Sequence, residues 1–157
     1  MQRRDFFKKL GTAAAVTAVM PAMSFAADAK PISPNKLDLK SAIDAITGGK
    51  APKASKKIKL KVPEIAENGA VVPVTVEVDS PMTDADYVKA IHILAGKNSN
   101  ARCLDVHLTP ANGKAMVATR IKLGGTQEVT ALVALSNGDF LIASQSVKVT
   151  IGGCGWF

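Results

Sequence analysis

Val72-Pro73-Val74-Thr75-Val76-Glu77-Val78 places a valine at every second position, with proline, threonine and glutamate between them. Successive side chains of an extended chain point to opposite faces, so this stretch lays four β-branched residues on one face. Such a half-buried strand needs a second layer against its apolar side. The same period of two appears upstream, where Ile58, Leu60 and Val62 alternate with lysines. Downstream, strands are predicted at Val88–Leu94, Arg102–Leu108, Ala115–Leu123, Glu128–Leu135, Phe140–Ser146 and Val147–Ile151. Turn chemistry separates them: Glu67-Asn68-Gly69, Asp79-Ser80-Pro81, Lys97-Asn98-Ser99-Asn100, Pro110-Ala111-Asn112-Gly113, Gly124-Gly125 and Ser136-Asn137-Gly138-Asp139. About seven or eight short strands, broken roughly every 8–12 residues, predict an all-β, immunoglobulin-like β-sandwich.

One short helix is predicted ahead of the strands. Leu39, Ala42, Ile43 and Ile46 recur at helical spacing, and Gly48-Gly49 supplies the stop. Gly49 to Lys57 reads as a linker. The expected organisation is therefore a leader over 1–26, a helix and lysine-rich linker over 27–57, a sandwich over 58–151 and a C-terminal arm over 152–157.

The leader rests on Arg3-Arg4-Asp5-Phe6-Phe7-Lys8, which resembles the twin-arginine export signal, with Phe7 where leucine is usual. A weak apolar stretch, Leu10 to Val19, follows, and Ser24-Phe25-Ala26 offers small residues for cleavage after Ala26. The protein is thus expected to work in the periplasm, where thiols can be oxidised. The apolar run is too short and alanine-rich for stable membrane insertion.

Composition narrows the function classes. The chain has 157 residues, 47% hydrophobic, enough for one domain and inconsistent with wholesale disorder. Its two cysteines exclude a disulfide-dense scaffold and a four-cysteine zinc module. The charge of +7 suggests an anionic partner until it is located. Without residues 1–26 there are sixteen basic and twelve acidic residues, or +4. Nine of the lysines lie between Lys30 and Lys61, and Val62 to Phe157 is near −2. The lysines are not interleaved with aromatics or arginines, so a solvated face is expected and no nucleic-acid surface. No metal site and no cofactor are predicted.

The chemistry is expected at Val149-Thr150-Ile151-Gly152-Gly153-Cys154-Gly155-Trp156-Phe157. A strand runs into glycines around one thiol. Gly152, Gly153 and Gly155 read as a thin, flexible arm that carries Cys154 out of its own domain. No sequence neighbour supplies a base, which suits a thiol modified by other enzymes.

Several stretches together resemble the SoxY family of sulfur-carrying subunits of the exported thiosulfate-oxidising Sox system. They are Pro63-Glu64-Ile65-Ala66-Glu67-Asn68-Gly69, Val72-Pro73-Val74-Thr75-Val76, Asp79-Ser80-Pro81-Met82-Thr83, Ile91-His92-Ile93, His107-Leu108-Thr109-Pro110, Thr119-Arg120-Ile121 and Val147 through Gly155. The resemblance implies a carrier that is not itself an enzyme, paired with SoxZ. It implies that the haem protein SoxAX joins thiosulfate oxidatively to Cys154, that the two-metal hydrolase SoxB releases sulfate, and that SoxCD can oxidise the remaining sulfane sulfur. Two departures stand out. Trp156 and Phe157 follow where the family arm usually ends in glycine, and they read as a tip anchor. Cys103 lies within a strand where the family does not ordinarily carry cysteine.

Other readings stay open at this stage. Cys154 could instead form a disulfide with Cys103, in an exported interaction module whose Trp156-Phe157 segment docks another protein. A thiol enzyme could use Cys103 or Cys154 with a histidine. Strict alternation puts Cys103 on one face with Asp105 and His107, a row that could bind metal or activate sulfur. His92 and His107 are read as structural histidines, and Arg102 and Arg120 as ion-pair partners or anion contacts. Asp84 and Asp86 are read as carboxylates capping the loop after Pro81.

Overall fold

The computed structural model describes residues 36–152. The export signal with Arg3 and Arg4, and the Gly153, Cys154, Gly155, Trp156 and Phe157 end of the arm, lie outside the described residues.

Helix α1 spans Leu39–Thr47. Asp38 caps it, its carboxylate accepting from the Ser41 N–H at 2.6 Å. Gly48, at φ 64°, ends it in the left-handed conformation that glycine adopts without penalty, and its N–H donates to the Asp44 carbonyl. Nine strands follow: β1 Lys53–Ala54, β2 Ile58–Lys61, β3 Ile65–Asn68, β4 Val72–Val78, β5 Val88–Ala95, β6 Arg102–His107, β7 Ala115–Ile121, β8 Gln127–Leu135 and β9 Phe140–Ile151. The larger sheet has the order β1-β9-β8-β5-β6, with β3 also on β9, and the smaller has the order β2-β4-β7. The result is an all-β, immunoglobulin-like sandwich.

The valine row of β4 decides the packing, as the alternation requires. Val72, Val74, Val76 and Val78 are all buried and face Ile91, Ile93, Val129, Ala131, Val133 and Val147 of the larger sheet. Each such side chain contributes about 1.5–3 kcal/mol when fully buried. The larger sheet is also covered on its outer face. Ala42 of α1 packs on Leu94 and Leu132 there, so β5 is buried on both sides and does not alternate. Half-buried Ile43, Ile46, Phe140 and Ile142 extend that second cluster.

Three strand boundaries differ from the expectation. The linker contains β1, which pairs in parallel with β9 at Leu141 and Ile142. The turn read at Glu67-Asn68-Gly69 overlaps the end of β3, which begins at Ile65 and runs parallel to the end of β9. The two strands expected within 140–151 are one strand of 12 residues. Short parallel edge strands bury too little to print a period on the sequence, and nothing at Ser146-Val147 breaks an extended chain.

Candidate functional site

The described chain stops at Gly152, two residues before Cys154, so the root of the arm is fully in view. β9 delivers it. The Val149 N–H donates to Thr126 Oγ1 at 3.0 Å. That hydroxyl donates back to the Val149 carbonyl at 3.4 Å. The Gly69 N–H donates to the Ile151 carbonyl at 2.7 Å, and Leu123 N–H donates to the Gly69 carbonyl at 2.7 Å. The root is thereby tied to the β3–β4 and β7–β8 loops.

Gly152 itself is constrained by space. A Cβ there would sit 2.6 Å from the Gly124 carbonyl oxygen, far inside van der Waals contact, with no flexible side chain to yield. The glycine expected to give freedom is thus required for close approach at the arm's origin. Exposed Ile151 precedes this point.

Asn98, legible in the sequence only as a turn residue, organises the neighbouring loops. Its Oδ1 accepts from the Gly124 N–H and from Gln127 Nε2, both at 3.0 Å. Its Nδ2 donates to the Lys122 carbonyl at 2.8 Å and points to Cys103 Sγ at 3.6 Å. Asn98 and Cys103 line a groove of about 300 Å³ where the edges of β6 and β7 come together. Asn100, Leu104, Thr119, Arg120, Ile121 and Lys122 complete its walls.

Cys103 is half-buried and free. Burial pushes its thiol up to about 11, only partly opposed by the Asn98 amide. The row of Cys103, Asp105 and His107 does not form. Ile93 pairs with Leu104 but Leu94 pairs with Arg102, so β6 carries one extra residue, a bulge at Cys103. The bulge turns Cys103 to the inner side, with Leu104 and Val106. Arg102 takes its place on the outer face.

There the structure assembles a group that alternation concealed. Asp105 accepts from Arg102 Nε at 2.6 Å and pairs with His92 Nδ1 at 2.5 Å. The His107 ring stands edge-on to His92, with centroids 6.3 Å apart. Burial works to raise the Asp105 pKa, but the hydrogen bonds and charges of His92 and Arg102 outweigh it and hold the carboxyl below its usual range. His92 is buried and satisfied, as a structural histidine should be. His107 is exposed. Among the described residues, no cluster of three or more histidine, cysteine or acidic side chains has metal-binding geometry. Arg120 has no salt-bridge partner among the described residues. Nor do the Asp84 and Asp86 carboxylates cap their loop. Thr83 closes it instead, its Oγ1 accepting from the Asp86 N–H at 3.2 Å.

The chain matches the family model described as the sulfur oxidation protein SoxY over residues 43–154. No curated protein matches. Among solved structures, it is similar to the sulfur carrier protein SoxY from Chlorobium limicola f thiosulfatophilum. The identity is 34% and the TM-score 0.61, covering 73% of this chain and 97% of that one. It is also similar to a superoxide reductase (neelaredoxin) from Ignicoccus hospitalis, at 20% identity and TM-score 0.54, over 59% of this chain and 80% of that one. The second likeness is one of fold. No helix among the described residues is long and apolar enough to cross a membrane.

Proposed function

The chain belongs to the SoxY family of sulfur oxidation proteins, and on that premise we propose that it is an exported covalent sulfur carrier whose attachment point is Cys154. One observation carries the reading: the family match runs to Cys154 itself, two residues beyond a root that β9 and two loops hold in place. Residues 1–26 are the twin-arginine signal, 27–57 the helix and the segment after it that adds β1 to the sandwich, 58–151 the remainder of the sandwich and 152–157 the arm. Gly153 and Gly155 leave the thiol unshielded by neighbouring side chains, so it can enter a narrow channel. The protein works in the periplasm as a heterodimer with SoxZ.

In the loading step, the Cys154 thiol and thiosulfate give a thiosulfonate, one proton and two electrons, the electrons passing to the haem protein SoxAX. SoxB then adds water across the terminal sulfur–sulfur bond. Sulfate and two protons leave, and a persulfide anion remains on Cys154. SoxCD can oxidise that sulfane sulfur to a sulfonate with oxygen from three waters, six protons and six electrons leaving to its acceptor, before SoxB adds water again and releases a second sulfate from the Cys154 thiolate. The carrier supplies no acid or base. It supplies a tether, which raises the local concentration of the bound sulfur at each enzyme.

The thiol-enzyme alternative loses support from Cys103. Its raised pKa, and the bulge that separates it from both histidines, do not favour a thiol enzyme. Replacing Cys154→Ser tests the proposal. Thiosulfate-dependent electron transfer in a reconstituted system should fall to background at unchanged melting temperature, and the mass of a thiosulfonate or persulfide should vanish. Retained turnover would remove Cys154 from the mechanism.

A further inference from the structure

Trp156 is the only tryptophan of the chain, and with Phe157 it sets two large apolar groups beside the thiol. The described structure offers a place for them. The groove between β6 and β7 begins one hydrogen bond from the arm's root, because Asn98 both lines the groove and accepts from the Gly124 N–H. Gly124 is the residue whose carbonyl abuts Gly152. Trp156 lies four residues past Gly152, a reach of up to about 13–14 Å.

The groove's lining is mixed, with Asn98, Asn100 and Lys122 beside aliphatic surface, and it can take an indole, whose ring is apolar and whose N–H needs an acceptor. Its volume of about 300 Å³ is at the small end for ligand sites. Leu104 and buried Ile121 provide aliphatic surface. Arg120, exposed and without an ion-pair partner among the described residues, can stack on an aromatic face.

We propose that the Trp156-Phe157 segment of this chain docks in the groove between β6 and β7, holding Cys154 against its own sandwich between visits to partner enzymes. The site's purpose rests on the carrier reading, but the docking does not. With the aromatics seated, Cys154 is confined near the Asn98 and Cys103 end of the groove. The negative charge of a bound thiosulfonate or persulfide then lies within the field of Arg120 and Lys122. Cys103 is almost entirely protonated there at neutral pH, so its attack on the adduct is slow. A partner enzyme must displace the aromatics or bind them itself.

The test uses the full chain, with and without its co-expressed partner. Iodoacetamide alkylation of Cys154 is timed by peptide mass, and Trp156 emission is recorded on the chain by itself. Thr119→Arg fills the groove from an edge strand, and Trp156→Gly removes the ligand. Each should speed alkylation about threefold to tenfold, as for a dock occupied most of the time, and the double variant should be no faster than either alone. Arg120→Ala, at an exposed position that cannot threaten folding, should give a smaller acceleration. Thr119→Arg and Arg120→Ala should also move Trp156 emission toward that of solvated indole. Wild-type alkylation as fast as in Trp156→Gly would overturn the proposal. So would emission of a fully solvated indole in the wild type. Acceleration lost in the heterodimer alone would overturn it for the working complex and assign the groove to the partner. Thiosulfonate adducts on Cys154 are scored by intact mass in the same samples, so failure of the dock and failure of the carrier role read out separately.

Discussion

Replacing Gly152 by alanine adds one methyl group where the structure has no room. The new Cβ would lie 2.6 Å from the Gly124 carbonyl oxygen and 3.3 Å from its carbon. Ordinary contact begins near 3.4 Å, so the two backbones must separate by about 0.8 Å. Gly124 cannot yield cheaply, because its N–H is held by Asn98, which is tied in turn to Lys122 and Gln127. Holding the clash would cost about 1–3 kcal/mol. Lifting the end of β9 costs less: chiefly the bond from the Gly69 N–H to the Ile151 carbonyl, about 1 kcal/mol net. The chain should take the second route. Stability should therefore drop by about 1 kcal/mol or less, a few degrees in melting temperature for a domain of this size. Hydrogen exchange at the Gly69 amide should speed by about fivefold, the equivalent of 1 kcal/mol, while amides of β5 and β8 keep their protection. The redirected root should also slow sulfur loading on Cys154. If Gly152→Ala left Gly69 exchange, melting and loading all at wild-type values, the argument that space fixes this glycine would be wrong.

Two further predictions concern the groups around β6. Asp105→Asn should destabilise the fold by about 1–2 kcal/mol at pH 7, since the charged hydrogen bond from Arg102 and the bond with His92 are both weakened and the site is partly solvated. The carboxyl's folded pKa lies below its unfolded one, so its contribution is complete above the unfolded value near 4 and is lost as pH falls through the folded value. Chemical denaturation should thus show the wild-type advantage at pH 6–7 shrinking toward zero below about pH 3. Cys103, with its thiol at about 11, should react with a disulfide reagent about a hundredfold more slowly at pH 8 than an ordinary exposed cysteine, with the rate climbing between pH 8 and 10. Equal rates for Cys103 and a solvated thiol would contradict the burial argument.

What the sequence revealed and what it hid follow from the range of the forces involved. The valines of β4 and the Leu39-to-Ile46 spacing are local patterns fixed by burial, and the structure keeps both. Gly48 as the helix stop is equally local. The bulge at Cys103 is not, because one extra residue is set by the register of two strands, and it reverses every face assignment on one side of it. That reversal is why Arg102, not Cys103, joins Asp105 and His92. The linker and turn readings missed β1 and β3 for a related reason: each exists only because β9 offers an edge. Asn98 could not be distinguished from any other turn asparagine, since its four partners lie up to 29 residues away. Gly152 was found through its type, and its reason was not, because Gly124 is brought to it only by the fold.

The long β9 strand has a mechanical meaning. Its twelve residues are bonded to β8 and β1 over most of their length and to β3 at the end nearest the arm. Inter-strand bonds lie across the strand axis. A tug on the arm along that axis therefore strains many of them together in shear, and cannot open them one by one as an unzipping pull would. Under the proposed carrier role, an enzyme drawing the thiol into its channel and letting it go would pull on the sturdiest direction the sandwich has. The arm can be worked repeatedly like a rope made fast along a rail, while the core behind it stays at rest.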